Sequence, residues 1–136
     1  MDVLVAVVDD NAAVRDALAT ILELEGYSVR TYASGDAFLR AARKKRQPDC
    51  VLLDLFMPDG SGADVLETLD PRTKPVIVIS AEEVGTEALA AINAGACDFI
   101  KKPFDADMTL ERVRVALTKE PAGSKRHRQL LDHHQT

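Results

Sequence analysis

Four short apolar runs punctuate the chain, and each stops on a polar residue. VLVAVV (3–8) runs into Asp9-Asp10, CVLL (50–53) into Asp54, VIVI (76–79) into Ser80, and DFI (98–100) into Lys101-Lys102-Pro103. Runs this short and this rich in Val, Ile and Leu, without polar alternation, predict strands buried on both faces of a parallel sheet. Between them the pattern turns helical. Asn11 caps a helix to about Glu25 with Val14, Ala17, Leu18 and Ile21 inward, and Gly26 stops it. SVRTY (28–32) is more polar and reads as an edge strand. Ser34 caps a helix that buries Phe38, Ala41 and Ala42. Ser61 and Asp64 have capping-box spacing before Leu66 and Leu69. A helix over about 85–94, with Leu89 and Ile92 inward, ends at Gly95. Asp105 caps a last one to about Thr118 with Leu110, Val113 and Leu117 inward.

Strict alternation of strand and helix predicts an α/β fold, a doubly wound (βα)5 three-layer sandwich of flavodoxin-like type. Its strand order is expected to be 2-1-3-4-5, with the switch point between the first and third strands. The carboxyl ends of parallel strands share one edge, and ligands bind there. Asp9, Asp10, Asp54, Ser80 and Lys102 would therefore meet. Three carboxylates packed together repel unless a cation compensates. Mg²⁺ suits such a set, since it takes one or two carboxylates with waters and phosphate oxygens.

Length and charge narrow the reading. With 136 residues, 46% hydrophobic and 29% charged, this is one ordinary globular domain, over residues 1–118. Residues 119–136 break the pattern with Pro121, Gly123 and Ser124, and read as a basic tail or linker too short for a further domain. His127, His133 and His134 belong to that solvated tail. No apolar stretch approaches a membrane span and no signal peptide is apparent, so a cytoplasmic location is expected and no membrane partner. A net charge of −5 argues against nucleic-acid binding by this chain. The run Arg43-Lys44-Lys45-Arg46 complements the end of the second helix. Cys50 and Cys97, each at a strand start and neither at metal-ligand spacing, read as packing residues.

VVDDN (7–11), LLDLFMPDGSG (52–62), VISA (78–81) and DFIKKPFD (98–105), in this order, make the chain resemble a receiver domain of two-component response regulators (the CheY-like superfamily) over residues 1 to about 118. The wording around the fifth strand is similar to the subfamily whose full-length members carry a C-terminal helix-turn-helix, which is not readable in the tail. The resemblance implies that Asp54 accepts a phosphoryl group, as a nucleophile forming an aspartyl phosphate. It assigns Mg²⁺ to Asp9, Asp10, Asp54 and the backbone carbonyl of Phe56. Lys102, three residues after Phe99, would pair with one phosphoryl oxygen and Ser80 with another, whereas Lys101 has the wrong spacing. A cis bond before Pro103 is typical of such domains.

Ser80 and Phe99 would form the switch, and because Phe99 has no hydroxyl, a hydrogen-bonded version of it is excluded. Phe56 and Glu82, two residues beyond Asp54 and Ser80, lie where phosphoryl lifetime is tuned, and the bulky Phe56 is expected to shield the acyl phosphate. The phosphodonor would be a histidine kinase or phosphotransfer protein. Output would pass to a protein target or a homodimer through the 85–94 helix, the fifth strand and the last helix, where Met108 and Val115 lie off the buried stripe. On this reading the chain is a switch that catalyses only its own phosphorylation and dephosphorylation.

Other classes fit less well. A Mg²⁺-dependent phosphatase of this type usually carries an acid two residues past its nucleophilic Asp, and position 56 is Phe. Dinucleotide and P-loop sites need glycine fingerprints that are missing. A receiver-like module that is never phosphorylated would not need the full set of Asp9, Asp10, Asp54, Ser80 and Lys102.

Overall fold

A computed structural model describes residues 2–69, 74–81 and 95–118. Five parallel strands are present among them: β1 (Leu4–Val8), β2 (Ser28–Tyr32), β3 (Cys50–Asp54), β4 (Val76–Ser80) and β5 (Asp98–Lys101). They pair in the order β2-β1-β3-β4-β5, as the alternation predicts, with the direction of winding reversed between β1 and β3. Four helices are described: α1 (Ala12–Leu24), α2 (Gly35–Ala42), α3 (Ser61–Leu69) and α4 (Ala106–Thr118). The predicted 85–94 helix, with Leu89 and Ile92, lies outside the described residues, as do Glu82 and the 119–136 tail.

The unbroken apolar runs are explained by burial on both sides. β1, β3 and β4 are buried at every residue, Asp54 and Ser80 included. Successive side chains of a strand point to opposite faces, so the runs divide into two cores. Val5, Val7, Cys50, Leu52, Ile77, Ile79 and Ile100 face α1 and α4, where they meet Leu18, Leu22 and Val113. Ala6, Val8, Val51, Leu53, Val76 and Val78 face α2 and α3, where they meet Phe38, Val65 and Leu66. β2, at the sheet edge, has no fully buried residue, in keeping with its polar sequence.

Caps delimit the helices near the predicted positions. The Asn11 side chain accepts from the N–H groups of Ala13 and Val14, the Ser34 hydroxyl from Ala37 N–H, and the Asp105 carboxylate from Met108 N–H. Gly26, at φ +96°, lets the chain leave α1 in a conformation that an L side chain resists.

Three local expectations need correction. Ala17 is exposed, and the inward stripe of α1 continues through Leu22 instead. Ser61 does not cap α3: its hydroxyl accepts from Gly35 N–H and donates to Asp59. Met108, expected off the stripe of α4, packs partly buried against the α1/α4 core. Leu110, Val113 and Leu117 face that core as predicted, and Thr109 and Ala116 are fully buried with Val113.

Cys50 and Cys97 pack as expected, Cys50 fully buried and Cys97 half-buried against the α1/α4 core. Burial pushes the Cys50 thiol well above its ordinary value, with the nearby Cys97 adding to the effect. A thiol held protonated is a packing group and not a nucleophile.

Leu52 lies in the middle of the central strand with no exposure. Leu52→Ala is expected to lower unfolding free energy by about 3 kcal/mol in urea titrations, the usual cost of a buried Leu truncation. A loss below about 1 kcal/mol would contradict the tightly packed core described here.

Candidate functional site

The ends of β1, β3 and β5 bring acids and amine together. Asp9 follows β1 and is fully buried, yet every part of it is engaged. Its N–H donates to the Tyr32 carbonyl (3.1 Å), its Oδ1 accepts from Asn11 N–H (2.8 Å), and its own carbonyl accepts from the Arg15 guanidinium (2.7 Å). Asp54 closes β3 and is 5% exposed. One of its oxygens, Oδ1, accepts from the N–H of Phe56 at 2.9 Å.

Lys102 spans the two acids. Its Nζ donates to Asp9 Oδ2 at 2.8 Å and to Asp54 Oδ2 at 3.2 Å. Its backbone N–H donates to the Ser80 carbonyl at 2.7 Å, and the bond that follows, Lys102–Pro103, is cis. Lys101, one residue earlier, is exposed. Asp10 is exposed beside the pair, and one carboxylate oxygen each of Asp9, Asp10 and Asp54 lies within 4.8 Å of the others.

Burial drives the Asp54 carboxyl above the ordinary carboxylate range. The Phe56 N–H and the charge of Lys102 pull it back down without cancelling the rise, to which the Asp9 charge also adds. Burial alone would lower the Lys102 amine. Its hydrogen bond to Asp9 and the charges of Asp54 and Asp9 outweigh that, so it is raised and stays protonated. The three carboxylates and one ammonium leave two negative charges, which a dication would neutralise. One oxygen from each of the three acids is near enough to the others for a single hard cation to draw on them together with waters. The donor set fits a hard divalent ion.

Ser80 ends β4, is fully buried, and is in register with Lys101. Phe99 pairs with Val78, two positions earlier on the same face as Ser80, and packs half-buried against the α2/α3 core. The Phe56 side chain, two residues beyond Asp54, is exposed. Val115 is half-buried on α4.

Sequence reasoning missed Arg15, whose hold on the Asp9 carbonyl fixes the turn that carries the acidic pair. Its only signal was a cation one turn into the helix that follows two acids. It also missed the Ser61–Asp59 pair, which holds the exposed Asp59 carboxyl below its ordinary value through the Ser61 N–H and then its hydroxyl.

Residues 5–114 match the family described as response regulator receiver domain. The chain belongs to that family. Over 130 residues it is 40% identical to the transcriptional regulatory protein KdpE of Mycobacterium tuberculosis, which covers 95% of this chain and 57% of that protein. Over 122 residues it is 38% identical to the KDP operon transcriptional regulatory protein KdpE of Escherichia coli, with coverages of 87% and 52%. The chain thus spans about half the length of these relatives. A solved response regulator receiver protein from Burkholderia phymatum superposes with a TM-score of 0.79 at 34% identity, covering 90% of this chain and 100% of that one. The chain is thus a receiver domain, a phosphoacceptor module of two-component signalling. Among the described residues no helix is long and apolar enough to cross a membrane.

The raised Asp54 sets a stability test. The fold favours protonated Asp54, while in the unfolded chain the carboxyl ionises near about 3.9. The native state therefore holds the extra proton between that value and the raised one, and stability falls as pH rises through the window. In buffer with a chelator, Asp54→Asn should have a higher urea midpoint than wild type at pH 7. The difference should close below about pH 4, where both states are protonated. A lower midpoint at pH 7 would mean that attraction to Lys102 exceeds the cost of burial.

Proposed function

We propose that Asp54 is the phosphoacceptor and that the chain is a Mg²⁺-dependent switch in a two-component pathway. The observation that carries this reading is the ammonium of Lys102 at 2.8 Å and 3.2 Å from two acids whose oxygens cluster with those of Asp10. Asp9, Asp10, Asp54 and the Phe56 carbonyl are the groups that would hold Mg²⁺. Such an ion, when bound, spreads charge that develops on the transferring phosphoryl.

The chain's own residues do the rest. Asp54 offers a carboxylate oxygen to phosphorus. The new P–O bond forms as the P–N bond of a phosphohistidine donor breaks, and the leaving imidazole takes up a proton. The donor class that fits is a histidine kinase or phosphotransfer protein. The Phe56 N–H orients the nucleophile through Oδ1. Lys102, already beside Oδ2, is within a short swing of a phosphoryl oxygen. The bound phosphoryl carries about 1.5 to 2 units of negative charge in place of the single charge of the carboxylate, and it attracts the Ser80 hydroxyl. Phe99, diagonal to Ser80 on the same face, then turns into the space released, by packing alone. Phe56, bulky, apolar and two residues beyond Asp54, screens the acyl phosphate from water.

Output leaves through the β5 and α4 surface. Met108 is partly buried against the α1/α4 core, so only part of its side chain is left for a partner. Among the described residues Val115 packs into neither core cluster, and it is the residue to test.

Incubation with Mg²⁺ and acetyl phosphate should give an acid-stable, base-labile phosphate on the wild type. Asp54→Asn or a chelator should abolish it, and Lys102→Ala should slow its formation at least tenfold. No label on the wild type would favour a binding module instead, and turnover of many phosphoesters would favour a phosphatase. Val115→Glu should leave labelling intact and weaken phosphorylation-dependent self-association or target binding, read by light scattering or pull-down. Undiminished association would remove Val115 from the interface.

A further inference from the structure

The backbone directly behind Asp54 is in contact with a second helix. Gly62, in the first turn of α3, is buried. A Cβ there would stand 2.8 Å from the Asp54 carbonyl oxygen, 2.9 Å from Leu55 Cα and 3.1 Å from the Leu55 carbonyl. All three neighbours are main chain, so no side chain can swing away to make room. The helix start is itself fixed from the other side. Ser61 Oγ accepts from Gly35 N–H at 2.8 Å, and a Cβ on Gly35 would meet the Ser61 carbonyl at 2.5 Å. Two bare Cα positions thus let α2, α3 and the end of β3 touch backbone to backbone. The loop between β3 and α3 carries Phe56, whose N–H orients the Asp54 carboxylate.

From this contact we infer that Gly62 is a positioning residue for phosphoryl transfer at Asp54, setting the main chain of Asp54 to Phe56 by seating α3 directly against it. The inference rests on Asp54 being the phosphoacceptor. Helix propensity and close contact oppose each other here, which makes the test sharp. In a helix, Ala is favoured over Gly, so a site with only a secondary-structure role would tolerate or welcome the methyl group. A positioning role requires the methyl group to displace Asp54 relative to Lys102.

The test compares Gly62→Ala with Ala63→Gly, an exposed neighbour on the same turn, in the full chain. Measured are the labelling rate from acetyl phosphate with Mg²⁺, the urea midpoint, and the Phe56 amide proton shift by NMR. Gly62→Ala should label at least tenfold more slowly and shift the Phe56 amide. Ala63→Gly should lower the midpoint while keeping the wild-type rate and amide shift. A Gly62→Ala protein with the wild-type rate and amide shift overturns the inference. Should that variant fail to fold, Ser61→Ala loosens the same helix start without adding an atom. A several-fold slower rate then supports the inference and a wild-type rate overturns it. Failure of the wild type to label at all would instead strike the assignment of Asp54, so the two failures are distinct.

Discussion

The ammonium of Lys102 is the charge on which the carboxyl rim depends. Asp9 and Asp54 are withdrawn from water, and an uncompensated buried carboxylate costs several kcal/mol. One amine serves both, with a hydrogen bond to each. Its backbone is in turn fastened to Ser80, so strands β1, β3, β4 and β5 all bear on the position of one nitrogen. The compensation is partial: three acids remain against one base. That imbalance keeps the site attractive to a cation and keeps Asp54 reluctant to ionise without one.

Topology supplies the convergence. No two of Asp9, Asp54 and Lys102 are close in sequence, and Asp9 and Lys102 stand 93 positions apart, a span that contains most of the domain. Parallel strands that start on a common edge must also end on one, so each apolar run delivers its terminal residue to the same rim. Reversal of winding between β1 and β3 opens the crevice where Asp9, Asp10 and Asp54 meet. The chemistry is borne by residues that terminate strands, and the strands themselves contribute burial and direction.

Much of this was legible because both signals are local. Unbroken runs such as VLVAVV and VIVI announce two-sided burial, and polar residues at their ends announce the rim. What escaped is what depends on distant backbone. Ser61 followed three residues later by Asp64 carries the signature of a cap, yet its hydroxyl is used by Gly35, 26 residues away. The stripe of α1 slipped because a 3.6-residue repeat admits either Ile21 or Leu22 as the next inward position after Leu18. Met108 looked free because a flexible side chain can reach a core from the flank of a helix. Arg15 gave only a charge, and its hold on a main-chain oxygen has no sequence pattern.

The sheet also acts as a partition. Among the described residues its two faces sustain separate hydrophobic compartments with no buried residue in common, so either can drift in composition while the other stays as it is. Reconciliation is demanded only along the carboxyl margin, where the fastening of α1 to Asp9 and the seating of α3 against Asp54 come from opposite sides. A domain built this way can diversify nearly everywhere and still be held to account at one narrow border.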